Sequence, residues 1–105
     1  MLIMKTYKVK IDRTAEADLH NLFRFLISVM SREGANRYID TMVNEVQSLS
    51  ILADLYRLSR HVEIRKFHPY ARRMVSHNKK WVYIFHIEDD FVVVDRIYPA
   101  KMIAK

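Results

Sequence analysis

Tyr7, Val9 and Ile11 alternate with Lys8 and Lys10 in the stretch TYKVKID. A period of two puts the apolar residues on one face of a strand and the lysines on the other, so the pattern predicts a first strand over residues 5–11. The period then changes. Ala15, Leu19, Leu22, Phe23, Leu26, Val29 and Met30 recur at three- and four-residue steps, one stripe of an amphipathic helix running to about Ser31, with Phe25 and Ile27 off it. Thr14 reads as the cap of that helix, and Glu16 and Asp18 sit in its first turn, where the helix dipole favours anions. Gly34, the only glycine, reads as the left-handed residue that turns from this helix into the next. Ala35, Tyr38, Ile39, Met42, Val43, Val46, Leu49 and Leu52 or Ala53 carry a second stripe, predicting a helix over residues 35–52.

Residues 56–70 have no clean period and read as a connection, with a short strand expected at 62–65; Pro69 keeps His68 out of a helix. Three runs of β-formers follow, over residues 72–76, 81–87 and 91–98. Glu88, Asp89 and Asp90 separate the last two as a hairpin turn, so the segment predicts a three-stranded meander. Two amphipathic helices need a surface for their stripes, and the meander is that surface. The expected fold is α+β, of order βααβββ: a two-helix hairpin packed as two layers on a mainly antiparallel sheet, with Leu22, Leu26, Val46 and Leu49 in the core.

A chain of 105 residues is expected to be one domain over 1–105, and 50% apolar residues can build its core. One glycine and two prolines leave little material for linkers. The absence of cysteine excludes disulfides, thiolate metal sites and a cysteine nucleophile. No apolar run approaches the roughly 18 residues of a membrane span, so a cytoplasmic protein without membrane contact is expected. Phosphate loops, HExxH and nucleophile elbows are not present in the sequence. Charge adds more. Of the net +6, residues 56–80 carry +7 and the other eighty residues −1. A cationic segment running into a sheet implies an anionic partner, either nucleic acid or an acidic protein segment; the plain alternative is a solvated loop.

Within that segment Arg65, Lys66, Arg72, Lys79 and Lys80 are the candidate contacts to nucleic acid or another target. His61, His68 and His77 can titrate near neutrality, but spacings of seven and nine residues fit no common metal motif, and neither metal nor cofactor is expected. The acidic turn at 88–90 reads as solvated. Arg72 and Arg73 are neighbours on a strand and must point to opposite faces. Arg96 lies within the apolar run VVVDRIY, where it must pair or face a groove. Trp81, Tyr83 and Phe85, two residues apart, read first as a core face and only second as a platform for bases.

The order of elements, together with YKVKID, TAEADLHNL, ANRYID and RRMVSHNKKWVYIFHIEDDFVVVDRIYP, resembles the RelE/ParE superfamily of toxin-antitoxin toxins, which includes plasmid stabilisation proteins. The resemblance spans residues 7–99 and implies a small toxin held inactive by a cognate antitoxin in a hetero-oligomer. RelE-like members cleave mRNA in the ribosome without metal, using basic residues and often a C-terminal tyrosine; ParE-like members poison DNA gyrase and lack that set. By position, Arg73 and His77 match the basic sites, Lys101 matches weakly, and Arg96 or Tyr98 would complete a catalytic set of base, phosphorane-stabilising cation and acid. Tyr98 lies inside the last strand and no tyrosine follows it, so the resemblance implies a ParE-like toxin, with an mRNA interferase second. A non-toxic nucleic-acid-binding module and a plain protein-interaction domain are the alternatives of other classes.

Overall fold

The lysine-apolar alternation closes into a strand only over Lys8–Ile11 (β1) in the structure, a computed structural model that describes residues 5–103. Tyr7, expected within that strand, instead donates its amide to the Ser50 carbonyl (2.8 Å) and its hydroxyl to Asp54 Oδ1 (2.9 Å). Helix α1 covers Arg13–Val29. Its cap position is Asp12 rather than Thr14, and Thr14 Oγ1 donates to Asp12 Oδ2 (3.0 Å) instead of receiving backbone amides.

Gly34 is likewise not the turn. Extended backbone at Met30 and Ser31 breaks the helix, and Ser31 caps α2 (Arg32–Gln47) by accepting from the Gly34 amide (3.0 Å). Gly34 has no positive φ; a Cβ there would lie 3.2 Å from Ser31 Oγ, so the bare backbone leaves room for the capping hydroxyl. The second stripe is also shorter in helix than expected. It breaks at Ser48, whose hydroxyl donates to the Glu45 carbonyl, and resumes in α3 (Leu49–Leu52) and a 3₁₀ turn, Ala53–Leu55.

Three further strands, β2 (Arg72–Val75), β3 (Trp81–Glu88) and β4 (Phe91–Pro99), complete a four-stranded sheet of order β1-β4-β3-β2. Neighbours pair antiparallel except β1, which runs parallel to β4. The β3–β4 hairpin closes between Glu88 and Phe91, with Asp89 at φ 54°, a conformation aspartate tolerates better than most residues. The α+β fold of helical hairpin on mainly antiparallel sheet is therefore the one expected.

One face of the sheet packs on the helices. Met74, Tyr83, Phe85, Val92, Val94 and Ile97 join Ala15, Leu22, Leu26, Ala35, Met42, Val46 and Leu49 in one buried cluster. Phe25 and Ile27 stay outside it as expected, but so do Val29 and Met30, at 61% and 39% exposure, because α1 ends there and the chain reverses. Tyr83 and Trp81 are tied to α2 by polar contacts. Tyr83 donates to Glu45 Oε1 (2.6 Å), and Trp81 Nε1 donates to the Tyr38 hydroxyl (2.9 Å). Burial, followed by the hydrogen bond to Glu45, raises the pKa of the Tyr83 phenol.

The other face of the sheet is covered too, which two layers did not anticipate. Residues 56–71 lie across it as a strap, and Ile64, Ala71 and Ile103 bury Val82 and Ile84 in a second cluster flanked by Phe67 and Tyr98. Residues 62–65, expected to be strand, form a single helical turn, α4 (Val62–Arg65): His61 Nδ1 accepts from the Glu63 amide (3.2 Å) and Ile64 plugs the sheet.

Strand β4 carries one residue more than β3 between two of its pairs. Phe85 opposes Val94 and Ile84 opposes Arg96, leaving Asp95 as the extra residue of a β-bulge. Beyond the bulge β1 has ended, and Asp18 of α1 takes its place along the edge of β4. Its Oδ2 accepts from the Ile97 amide (2.9 Å) and from Arg96 Nε (2.8 Å), and its Oδ1 from the other arm of Arg96 (3.1 Å). The hydrogen bond to Asp18 is the main reason the Arg96 pKa is raised.

Two stability outcomes follow from this packing. Leu26→Ala should cost roughly 2–5 kcal/mol in chemical denaturation, and a loss below about 1 kcal/mol would remove Leu26 from the core. Asp18→Ala, which strips partners from both a guanidinium and a strand amide, should cost about 1–3 kcal/mol. A neutral result would mean that solvent replaces the carboxylate at the strand edge.

Candidate functional site

The bulge turns Asp95 and Arg96 to the strap side of the sheet together with His86 and Tyr98. His86 is buried and shares a 2.7 Å hydrogen bond between Nδ1 and Asp95 Oδ2, with Glu88 Oε2 3.4 Å from Nε2. The His68 ring of the strap stacks flat on His86 at 3.7 Å, while His68 Nδ1 accepts from the Tyr70 amide (3.0 Å). Desolvation pushes the Asp95 carboxyl above its ordinary 3.8, with His86 and then His68 drawing it partly back. Arg96 lies over the rings of Phe67 (5.5 Å) and Tyr98 (5.3 Å), and Phe67 in turn packs on Tyr98 (5.7 Å).

Of the expected catalytic residues, Arg96 and Tyr98 therefore meet, but under the strap and with the guanidinium already paired. Arg73 opposes Ile84 on the same face, exposed on edge strand β2. His77 lies elsewhere. Its amide donates to Glu45 Oε2 (2.6 Å), and its side chain lines a small cavity with Tyr38, Thr41, Met42 and Asn78 against α2. His77 is thus apart from Arg73, Arg96 and Tyr98, which share the strap-side face. Among the described residues no group of three or more His, Cys, Asp or Glu side chains is placed to hold a metal ion.

The basic residues divide into separate groups. Lys79, at φ 67°, and Lys80 are exposed in the connection beyond the far end of β2. Lys66 pairs with Glu63 (3.0 Å), and Lys101 is exposed in the 3₁₀ turn Ala100–Met102. Arg72 turns to the helical side, as its neighbour's orientation requires, and donates to the Tyr56 carbonyl (2.8 Å). Arg73 looks the other way. It lines a cavity of about 540 Å³ with Arg57, Leu58, Ser59, Arg60 and His61. Arg65 and Arg72 line an adjoining cleft of about 910 Å³ that shares Arg57 through Arg60.

Arg57 and Arg60 were countable as charge but nothing in their spacing marked them as neighbours of Arg73; the antiparallel bridge between Leu58 and Arg72 brings them there. The His86–Asp95 pair was also missed. The two residues are nine apart across a hairpin, and the bulge decides whether they share a face.

The family model for the ParE toxin of the type II toxin-antitoxin system parDE matches residues 9–104. A similar solved structure is that of the chromosomal ParDE TA system from P. aeruginosa, with a TM-score of 0.75 at 20% identity, over 90% of this chain and 97% of that one. At that identity the likeness shows the fold. No curated protein matches the sequence.

The half-buried Asp95 carboxyl has a testable sign. Because its pKa is raised in the folded state, Asp95 contributes stability below pH 3.8 that is lost as the pH rises through the raised value. Asp95→Asn does not titrate, so the stability difference between wild type and variant should fall across that window in urea titrations. A difference independent of pH would place the carboxyl in an ordinary environment.

Proposed function

The chain belongs to the ParE toxin family of type II toxin-antitoxin systems, and from that premise we propose that it slows bacterial growth by poisoning DNA gyrase and is neutralised by a cognate antitoxin in a hetero-oligomer. The observation that carries the choice of target is the dispersal of the residues an RNA-cleaving toxin would need. Metal-free cleavage of RNA requires a base for the 2′-hydroxyl, a cation at the phosphorane and an acid for the leaving oxygen within one substrate's reach. Here His77 lies against α2, Arg96 is paired with Asp18, and Tyr98 is packed on Phe67. That arrangement supports a toxin that acts by binding rather than by cleavage. An antitoxin segment that covers the sheet or the helical hairpin and brings acids would meet complementary charge.

A ribosome-dependent mRNA interferase is the second reading, favoured by the common face of Arg73, Arg96 and Tyr98. On that reading Arg73→Ala would lower cleavage by roughly 10²–10³-fold, the usual effect of losing one transition-state contact. On the proposed reading, induction of the chain alone slows growth, co-expression of the adjacent gene restores it, and gyrase accumulates on cut DNA. Purified wild-type protein should generate no new mRNA ends on translating ribosomes. Codon-positioned cleavage there would replace gyrase with mRNA as the target, and unimpaired growth with abundant soluble protein would count against toxicity itself.

A further inference from the structure

We propose that the arginine cleft between the strap and β2 is a binding site for the phosphodiester backbone of a nucleic acid. Arg57, Arg60, Arg65, Arg72 and Arg73 line two adjoining cavities, and the one acid in the lining, Asp54, already accepts from the Tyr7 hydroxyl. A third concavity, of about 390 Å³, continues from Arg60 past Arg65 to Lys66 and Pro69. Among the described residues none of the five arginines forms an ion pair, whereas Lys5, Arg37, Lys66 and Arg96 all do. With Asp54 the one acid in the lining, the five guanidinia carry more positive charge than their surroundings offset, and a polyanion supplies the balance while releasing its own counterions.

The geometry favours phosphate over an acidic peptide strand. An extended peptide gains most of its affinity by adding main-chain hydrogen bonds to an open sheet edge. At the start of β2 that edge is already occupied: Leu58 bridges Arg72, and the Ser59 amide donates to the Ala71 carbonyl (2.8 Å). What remains are planar forks of donors, the group that binds phosphate bidentately, with no lysine lining the first two cavities. Tyr70, 63% exposed, lies in the lining of the second cavity and offers a stacking face to an unpaired base. The site does not depend on gyrase being the target and is tested without it.

The experiment is fluorescence anisotropy of the purified protein with a labelled DNA duplex of about 20 base pairs and a single-stranded RNA of similar length, between roughly 50 and 200 mM salt. Two double variants remove equal charge: Arg57→Ala with Arg60→Ala in the cleft, and Lys79→Ala with Lys80→Ala at the other end of β2. The cleft variant should bind at least about ten-fold more weakly and lower the log–log salt slope by about two, while the lysine variant stays near wild type. Tighter binding of duplex or of RNA identifies the source of the phosphate, and either supports the site. Equal losses in the two variants would reduce the binding to diffuse charge and overturn the proposal. So would a glutamate-rich peptide that binds more tightly than both nucleic acids at equal charge and depends on Arg57 and Arg60.

Discussion

A single unpaired residue in β4 sets which side chains face which side of the sheet. Strict alternation from Val92 and Val94 would send Arg96 and Tyr98 into the helical core, where a guanidinium has no partner and the cost of burying it is several kcal/mol. With Asp95 inserted, Ile97 takes the core position and Arg96 emerges on the strap side. The same insertion creates two polar anchorages at one bend, Asp95 to His86 and Arg96 to Asp18. The first holds adjacent strands together; the second ties helix α1 to the strand edge that β1 no longer covers.

The strap resolves an apparent conflict between the most cationic part of the chain and a dry sheet face. Its apolar residues Ile64, Phe67 and Ala71 turn inward onto Val82 and Ile84, while its arginines turn outward into open concavities. A residue spacing neither helical nor extended is what such a segment needs, since one helical turn, a proline and a short edge bridge each reset the direction of the next side chain. The polar face of this protein is thus built by loop residues laid over a sheet, and the sheet's own Arg96 and Tyr98 become part of the support beneath.

Regular periodicity made the helices and hairpin readable: the stripes from Ala15 to Leu26 and from Ala35 to Leu49 are buried or half-buried, and the meander pairs as its runs of β-formers imply. Departures arose where a local side-chain contact overrode the expected signal. Ser31 rather than Gly34 separates the helices, because a serine hydroxyl bonded to the Gly34 amide starts α2 and no left-handed residue is required. Residues 62–65 look strand-like from Val62 and Ile64, yet His61 caps a turn of helix there. The site was harder to read than the fold. Arg73 was identifiable as exposed charge, but its association with Arg57 and Arg60 depends on a bridge between residues fourteen apart, and that of His68 with His86 on a ring stack across the strap.

The parallel pairing of β1 with β4 also governs the order in which the molecule can come into being. β4 is the last of the four strands to leave the ribosome, yet it lies inside the sheet, with β1 on one side and β3 on the other. Until it emerges, β1 has no neighbour in the sheet, the α1 stripe has no β4 to pack on, and Asp18 has neither Arg96 nor Ile97 to hold. A chain without β4 has the partners for its helical hairpin, for β2–β3 pairing and for the contacts of β3 with α2, but not for the complete sheet. A product cut short within the β3–β4 turn therefore lacks the strand that joins β1 and α1 to the rest of the sheet.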